Sequence, residues 1–129
     1  MPIATYMKRN PVQAIEQGVT TVYAKLVVGS SGSVTAATGY GLSGIARNAT
    51  GNYTITLDRK FKKLLAVVPT VIQATPQGLK MTLEADAIAS AGTITLEWNT
   101  DAGTATELSS GTVVLFAITV GDTSLTGGV

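Results

Sequence analysis

Few residues in this sequence have the type and spacing that chemistry requires. Residues 39–44 read Gly-Tyr-Gly-Leu-Ser-Gly, the GxGxxG spacing of a dinucleotide-binding turn. That turn works only where its third glycine opens a helix whose N-terminus holds the pyrophosphate. Here the pattern runs into Thr50, Gly51 and Asn52 and then an alternating strand, so turn and bulge glycines account for the match. Glu84 with Asp86, and Glu97 with Asp101, are close enough in sequence to raise a glycosidase pair or a calcium site. No EF-hand spacing surrounds them, and solvated loop acids are the commoner origin of such pairs. Asn48-Ala49-Thr50 and Asn52-Tyr53-Thr54 fit the glycosylation pattern but read as turn asparagines.

The chain contains no histidine and no cysteine. Their absence removes the commonest general base, the commonest metal ligand, thiol nucleophiles and disulfides. The reading is a non-enzyme with no catalytic residue, no cofactor and no metal. Its strongest local charge feature is Arg59-Lys60-Phe61-Lys62-Lys63, which holds four of the nine cations. Such a cluster meets phosphate or an acidic protein surface, or else solvates a turn beside a buried Phe61.

Composition narrows the partners. Charged residues make up 13% of the chain, against about 25% in an ordinary soluble domain. A surface that poor in charge implies association with other protein. The net charge of +1 argues against direct nucleic-acid binding, and tyrosines scattered at 6, 23, 40 and 53 form no stacking platform. All lysines and arginines lie at or before Lys80, and most acids follow it, so the halves can attract each other within or between subunits. No signal peptide and no apolar run near 20 residues is present, so neither secretion nor a membrane partner is expected.

The elements that must position these residues are strands. Residues 52–57 alternate Tyr53, Ile55 and Leu57 against Thr54 and Thr56, and residues 93–98 alternate Ile94, Leu96 and Trp98 against Thr93, Thr95 and Glu97. Residues 19–28, 33–38, 79–85 and 112–120 also read as strands, the last of them central. An apolar run over 65–75 is interrupted by Pro69, which marks an edge, a bulge or a change of sheet. Residues 58–65 fit one amphipathic helical turn capped by Asp58. Residues 86–92 read as a loop, 99–111 as an exposed polar loop, and 121–129 as a tail. The pattern predicts an all-β chain, an antiparallel β-sandwich or jelly roll over 19–129. Residues 1–18 form an arm or a helical turn, with Asn10, Pro11 and Gly18 as its cap signals. Tyr53, Ile55, Leu57, Ile94, Leu96, Val114 and Phe116 are expected in the core or an interface.

Three segments, 23–29, 41–47 and 50–58, resemble small β-sandwich structural proteins of tailed-bacteriophage virions. The matching residues are Arg47, Gly51, Tyr53, Thr54, Thr56 and Leu57, followed by Asp58 and Phe61. The resemblance covers under a third of the chain and includes both capsid decoration (cement) proteins and head or tail fibre modules. It implies a virion structural protein assembled in the host cytoplasm. A compact domain with an arm suits a homotrimeric cement protein that braces capsomer junctions and has the major capsid protein as partner. The alternative is a tail or fibre module that binds a host-surface glycan through 99–111. The expected capsid contacts are Arg59, Lys60, Lys62 and Lys63 in the basic turn, and Lys8 and Arg9 in the arm.

Overall fold

The computed structural model describes residues 18–122. Eight strands follow one another: β1 (Val19–Val28), β2 (Val34–Thr38), β3 (Leu42–Ala49), β4 (Asn52–Leu57), β5 (Lys63–Ile72), β6 (Lys80–Ala87), β7 (Thr93–Asn99) and β8 (Val113–Gly121). They form two antiparallel four-stranded sheets, in the orders β2-β1-β8-β5 and β3-β4-β7-β6. Among the described residues no helix is long and apolar enough to cross a membrane. Of the arm expected over 1–18, all but Gly18, and so Lys8 and Arg9, lie outside the described residues, as do residues 123–129 of the expected tail; Gly121, expected in that tail, is instead the last residue of β8, paired with Val19 and Lys63.

Alternation decides which face of each strand is buried. In β4 the side chains of Tyr53, Ile55 and Leu57 are buried; in β7 those of Ile94, Leu96 and Trp98; in β8 those of Val114, Phe116, Ile118 and Val120. β1 adds Val22, Ala24, Leu26 and Val28, and the two sheets share one core cluster. Burying each large aliphatic side chain stabilises the fold by about 1.5–3 kcal/mol, so the sandwich rests on these inward rows. All seven residues expected in the core are buried in it. β8 lies between β1 and β5, which makes it a central strand.

Two expectations require correction. Residues 58–62 form no helical turn but an irregular connection between β4 and β5. The spacing of Phe61, Leu64 and Leu65 imitates a helix. Lys63 and Leu64 are instead taken into the ladder with Gly121 and Val120, and Leu65 falls at a register break. Asp58 is no cap; its N–H donates to the Gly41 carbonyl at 2.9 Å. The alanine-rich segment after 85 is also not all loop: β6 runs on through Ala87, and Ile88 is buried in the core. Pro69 sits within β5, at the edge of its sheet, where a missing donor costs least.

Candidate functional site: the basic end and the Glu107 hub

The strands run between two ends of the sandwich, and the candidate contact residues fall at one of them. β4 leaves that end at Leu57, and residues 58–62 cross to β5. Phe61 is buried there, with the Arg59 guanidinium carbon 4.1 Å from its ring centroid. Arg59 Nη2 also donates to Asp122 Oδ2 at 2.7 Å. The Asp122 N–H in turn donates to the Gly18 carbonyl at 3.0 Å. Asp122 therefore ties the basic turn to the residue at which the chain enters β1. The Lys62 N–H donates to the Gly121 carbonyl at 3.0 Å, and Lys63 begins β5. The side chains of Lys60 and Lys62 are exposed. Arg59, Lys60, Lys62 and Lys63 thus share the end from which residues 1–17 depart.

The opposite end is organised around one carboxylate. Glu107 accepts from Arg47 Nε at 3.4 Å, and its second oxygen takes a hydrogen bond from Arg47 Nη2. The Gly51 N–H donates to Glu107 Oε1 at 2.9 Å. Gly32 lies so close that a Cβ there would overlap the Glu107 carboxylate. The Gly32 carbonyl accepts the buried Tyr53 hydroxyl at 2.6 Å. Arg47, Gly51 and Tyr53 thus converge on Glu107 and Gly32. Burial raises the Glu107 carboxyl, but the Arg47 hydrogen bond, the Gly51 N–H and the Arg47 charge outweigh it and leave the group below its ordinary value. The hydrogen bond to Glu107 raises Arg47. Burial first, and then the Glu107 charge, push the Tyr53 hydroxyl up.

The hub changes the reading of residues 99–111. Gln77 Nε2 donates to the Glu107 carbonyl at 3.1 Å, and Gln77 Oε1 accepts the Ser109 N–H at 2.9 Å. Leu108 is buried, and Thr106 N–H donates to the Trp98 carbonyl at 2.9 Å. The segment expected to be an exposed loop is therefore pinned from 105 onward, with an exposed tip at 101–104.

Against known families, curated proteins and solved structures, the chain has no match. The resemblance to phage virion modules therefore rests on the motif residues alone, of which Arg47, Gly51 and Tyr53 take part in the hub.

The other chemical candidates are engaged locally. Glu84 accepts from Asn52 Nδ2 at 2.6 Å, Asp86 from the Ile88 N–H at 3.1 Å, and Glu97 from Asn99 Nδ2 at 2.6 Å, while Asp101 lies 3.9 Å from Lys80 Nζ. Each carboxylate has its own local partner. Among the described residues no cluster of three or more acidic, histidine or cysteine side chains could hold a metal. Gly39 and Gly41 have φ of +157° and +83° and turn the chain from β2 to β3, so GxGxxG here leads into a strand. The Asn48 amide donates to Asn52 Oδ1 at 2.8 Å and Thr54 Oγ1 at 2.7 Å across the β3–β4 hairpin.

One feature had no sequence signal. Between the ends of β5 and β7, a cavity of about 240 Å³ is lined by Val71, Gln73, Pro76, Gly78, Leu79, Trp98 and Leu108. Among the described residues the buried Trp98 Nε1 has no hydrogen-bond partner. The cavity lies on the β5 and β6 side of the sandwich, away from where β2 packs beside β3.

Proposed function

We propose that this chain is a virion structural protein of a tailed bacteriophage: a capsid decoration protein, homotrimeric, that braces capsomer junctions from the outer surface. The observation that carries the reading is the gathering of the basic turn and the root of residues 1–17 at one end, joined through Asp122. An arm can follow a groove between capsomers while exposed Lys60 and Lys62 complement an acidic shell. A ligand that binds only the assembled shell stabilises it by mass action, so many weak repeated contacts suffice. Low charge density and a fully β, threonine-rich domain are consistent with a surface made to meet protein.

The test is location and copy number. Quantifying this chain in purified particles of the phage that encodes it should give hundreds of copies per virion. Deleting residues 1–17, or neutralising Arg59, Lys60, Lys62 and Lys63, should release it and lower the temperature at which particles leak DNA. A handful of copies per particle ends the decoration reading and favours a tail or fibre module. That second reading draws on the cavity lined by Trp98 and Leu108, which lies beside the 99–111 segment.

A further inference from the structure

The inward rows of the sandwich are not covered equally. Residues paired directly across an antiparallel ladder point to the same face. Val67, Pro69 and Val71 of β5 pair with Ile118, Phe116 and Val114 of β8, and Met81 and Leu83 of β6 pair with Trp98 and Leu96 of β7. All five partners are buried, so these β5 and β6 residues also face the space between the sheets. None of the five is itself buried: Val71 is 37% exposed and Leu83 39%. β5 and β6 are the last strands of their sheets, whereas β2 packs beside β3 on the other side. An apolar groove therefore runs along the β5 and β6 side. At the hub end it opens into the cavity lined by Val71, Leu79 and Trp98.

Such a groove keeps in water apolar side chains that the fold has already turned inward, and covering them is favourable. Val19 pairs with Gly121 and Gly121 with Lys63, so residues 1–17 depart beside the end at which β5 begins. Crossing from β1 past β8 and β5 to the groove takes about 11 Å, the span of roughly four extended residues. The groove follows the ten residues of β5, about 33 Å, which takes about ten more. The 17 residues before Gly18 are enough. Residues 123–129 reach at most about 24 Å and bring only Leu125 and Val129 as large apolar side chains. The longer segment also has the right chemistry. Ile3, Tyr6, Met7, Val12 and Ile15 supply apolar groups. Lys8 and Arg9, counted back from Gly18, fall near mid-groove, beside the half of β6 that carries the exposed acids Glu84 and Asp86.

We propose that residues 1–17 seat, extended, in the β5–β6 groove of their own domain, running from the basic end toward the cavity. Seated there, the arm covers the open inward rows and sets Lys8 and Arg9 against Glu84 and Asp86. The inference goes beyond the decoration reading. A shell that takes the arm must first draw it from this seat, so apparent affinity falls with the fraction of arms left free.

The test is tryptic cleavage after Lys8 and Arg9 in the full chain, followed by mass, with circular dichroism to confirm that each variant is folded. A docked segment is cut through the fraction that is open, so wild type should be cleaved at least about tenfold more slowly than Leu83→Asp or Val71→Asp, which spoil the groove. Thr54→Asp, on the outer face of the other sheet, should be cleaved at the wild-type rate. Ile3→Ser with Tyr6→Ser changes only the arm and should be cleaved as fast as the groove variants; it decides the matter if those do not fold. Wild-type protection should not change on dilution. Equal cleavage of wild type and these variants overturns the inference. So does protection that fades on dilution, which would give the groove to the arm of a second copy. Neither result depends on where the protein resides in a particle.

Discussion

Glu107 and Asp122 are carboxylates at opposite ends of the same sandwich, and the fold uses them differently. Glu107 is held from several sides, with side-chain exposures of 33% for Arg47 and 27% for Glu107: Arg47 grips it from one strand, the Gly51 N–H reaches it from a turn, and Gly32 leaves room for it. Asp122 makes one charged contact, to Arg59, and side-chain exposures of 55% for Arg59 and 42% for Asp122 leave that pair largely in water. An exposed ion pair contributes about 0–1 kcal/mol; a carboxylate that also closes a turn and a loop contributes through all of them. Polar groups are consumed at the hub end to hold the molecule together. At the basic end Lys60 and Lys62 remain available to something outside it.

β4 connects the two ends, so breaking it removes both. Ile55→Asp places a charge where there is no exposure and should cost several kcal/mol, giving insoluble or unfolded protein. Thr54→Asp, on the outward side of the same strand, should remain folded with a modestly lower melting temperature. Equal tolerance of the two would refute the face assignment.

Next in size is Gly51→Val. Gly51 has φ +65°, and a Cβ there would lie 2.5 Å from the Thr106 carbonyl oxygen. Left-handed strain on a β-branched residue together with that overlap should cost about 3 kcal/mol or more, read as a large shift in denaturant midpoint.

Glu107→Ala comes third. It leaves the Gly51 N–H and the Arg47 guanidinium without their acceptor, a loss of about 1–2 kcal/mol. The same hub predicts a pH dependence. The folded-state carboxyl of Glu107 lies below its unfolded value, so its contribution is complete above the ordinary range near pH 4.3 and fades as pH falls through the folded value. Tyr53 is raised in the fold, so its contribution is complete below about pH 10 and is lost as pH rises through the folded value. Thermal melts of wild type and Glu107→Ala should converge in acid; a difference that persists there would remove Glu107 ionisation from the account.

The smallest effect belongs to the basic end. Lys60→Gln with Lys62→Gln should change stability by less than about 0.5 kcal/mol, yet, under the decoration function proposed above, weaken binding to particles. A large loss of stability would show that these lysines serve the fold.

Much of this architecture was legible in residue order. Tyr53, Ile55 and Leu57, or Ile94, Leu96 and Trp98, declare an inward row because strand geometry repeats every two residues. Pro69 limited β5 to an edge, a bulge or a change of sheet, and the edge is what formed. The hub was not legible. Arg47 and Gly51 meet Glu107 across separations of 60 and 56 residues, and no local periodicity encodes a contact made by side chains at such range. Residues 58–65 misled for the opposite reason. The local spacing of Phe61, Leu64 and Leu65 was real, but pairing with β8 outweighed it. The two candidate contact segments, basic turn and arm, could be named from charge and position, whereas their common end depended on Asp122 reaching both Gly18 and Arg59.

The position of β8 has a consequence in time. It is the last strand of the described chain, yet it supplies the ladder partner for both β1 and β5, and Thr21 meets Thr119 across 98 residues. Until β8 is synthesised, β1 has only the five-residue β2 beside it and β5 has no partner in its own sheet. A nascent chain halted before residue 113 therefore carries an apolar half-sandwich that cannot close, and protection from protease should appear abruptly once β8 leaves the ribosome. Pairing at such range also places this chain among slow folders, in milliseconds to seconds, so its abundance in a cell depends on how well that interval is survived.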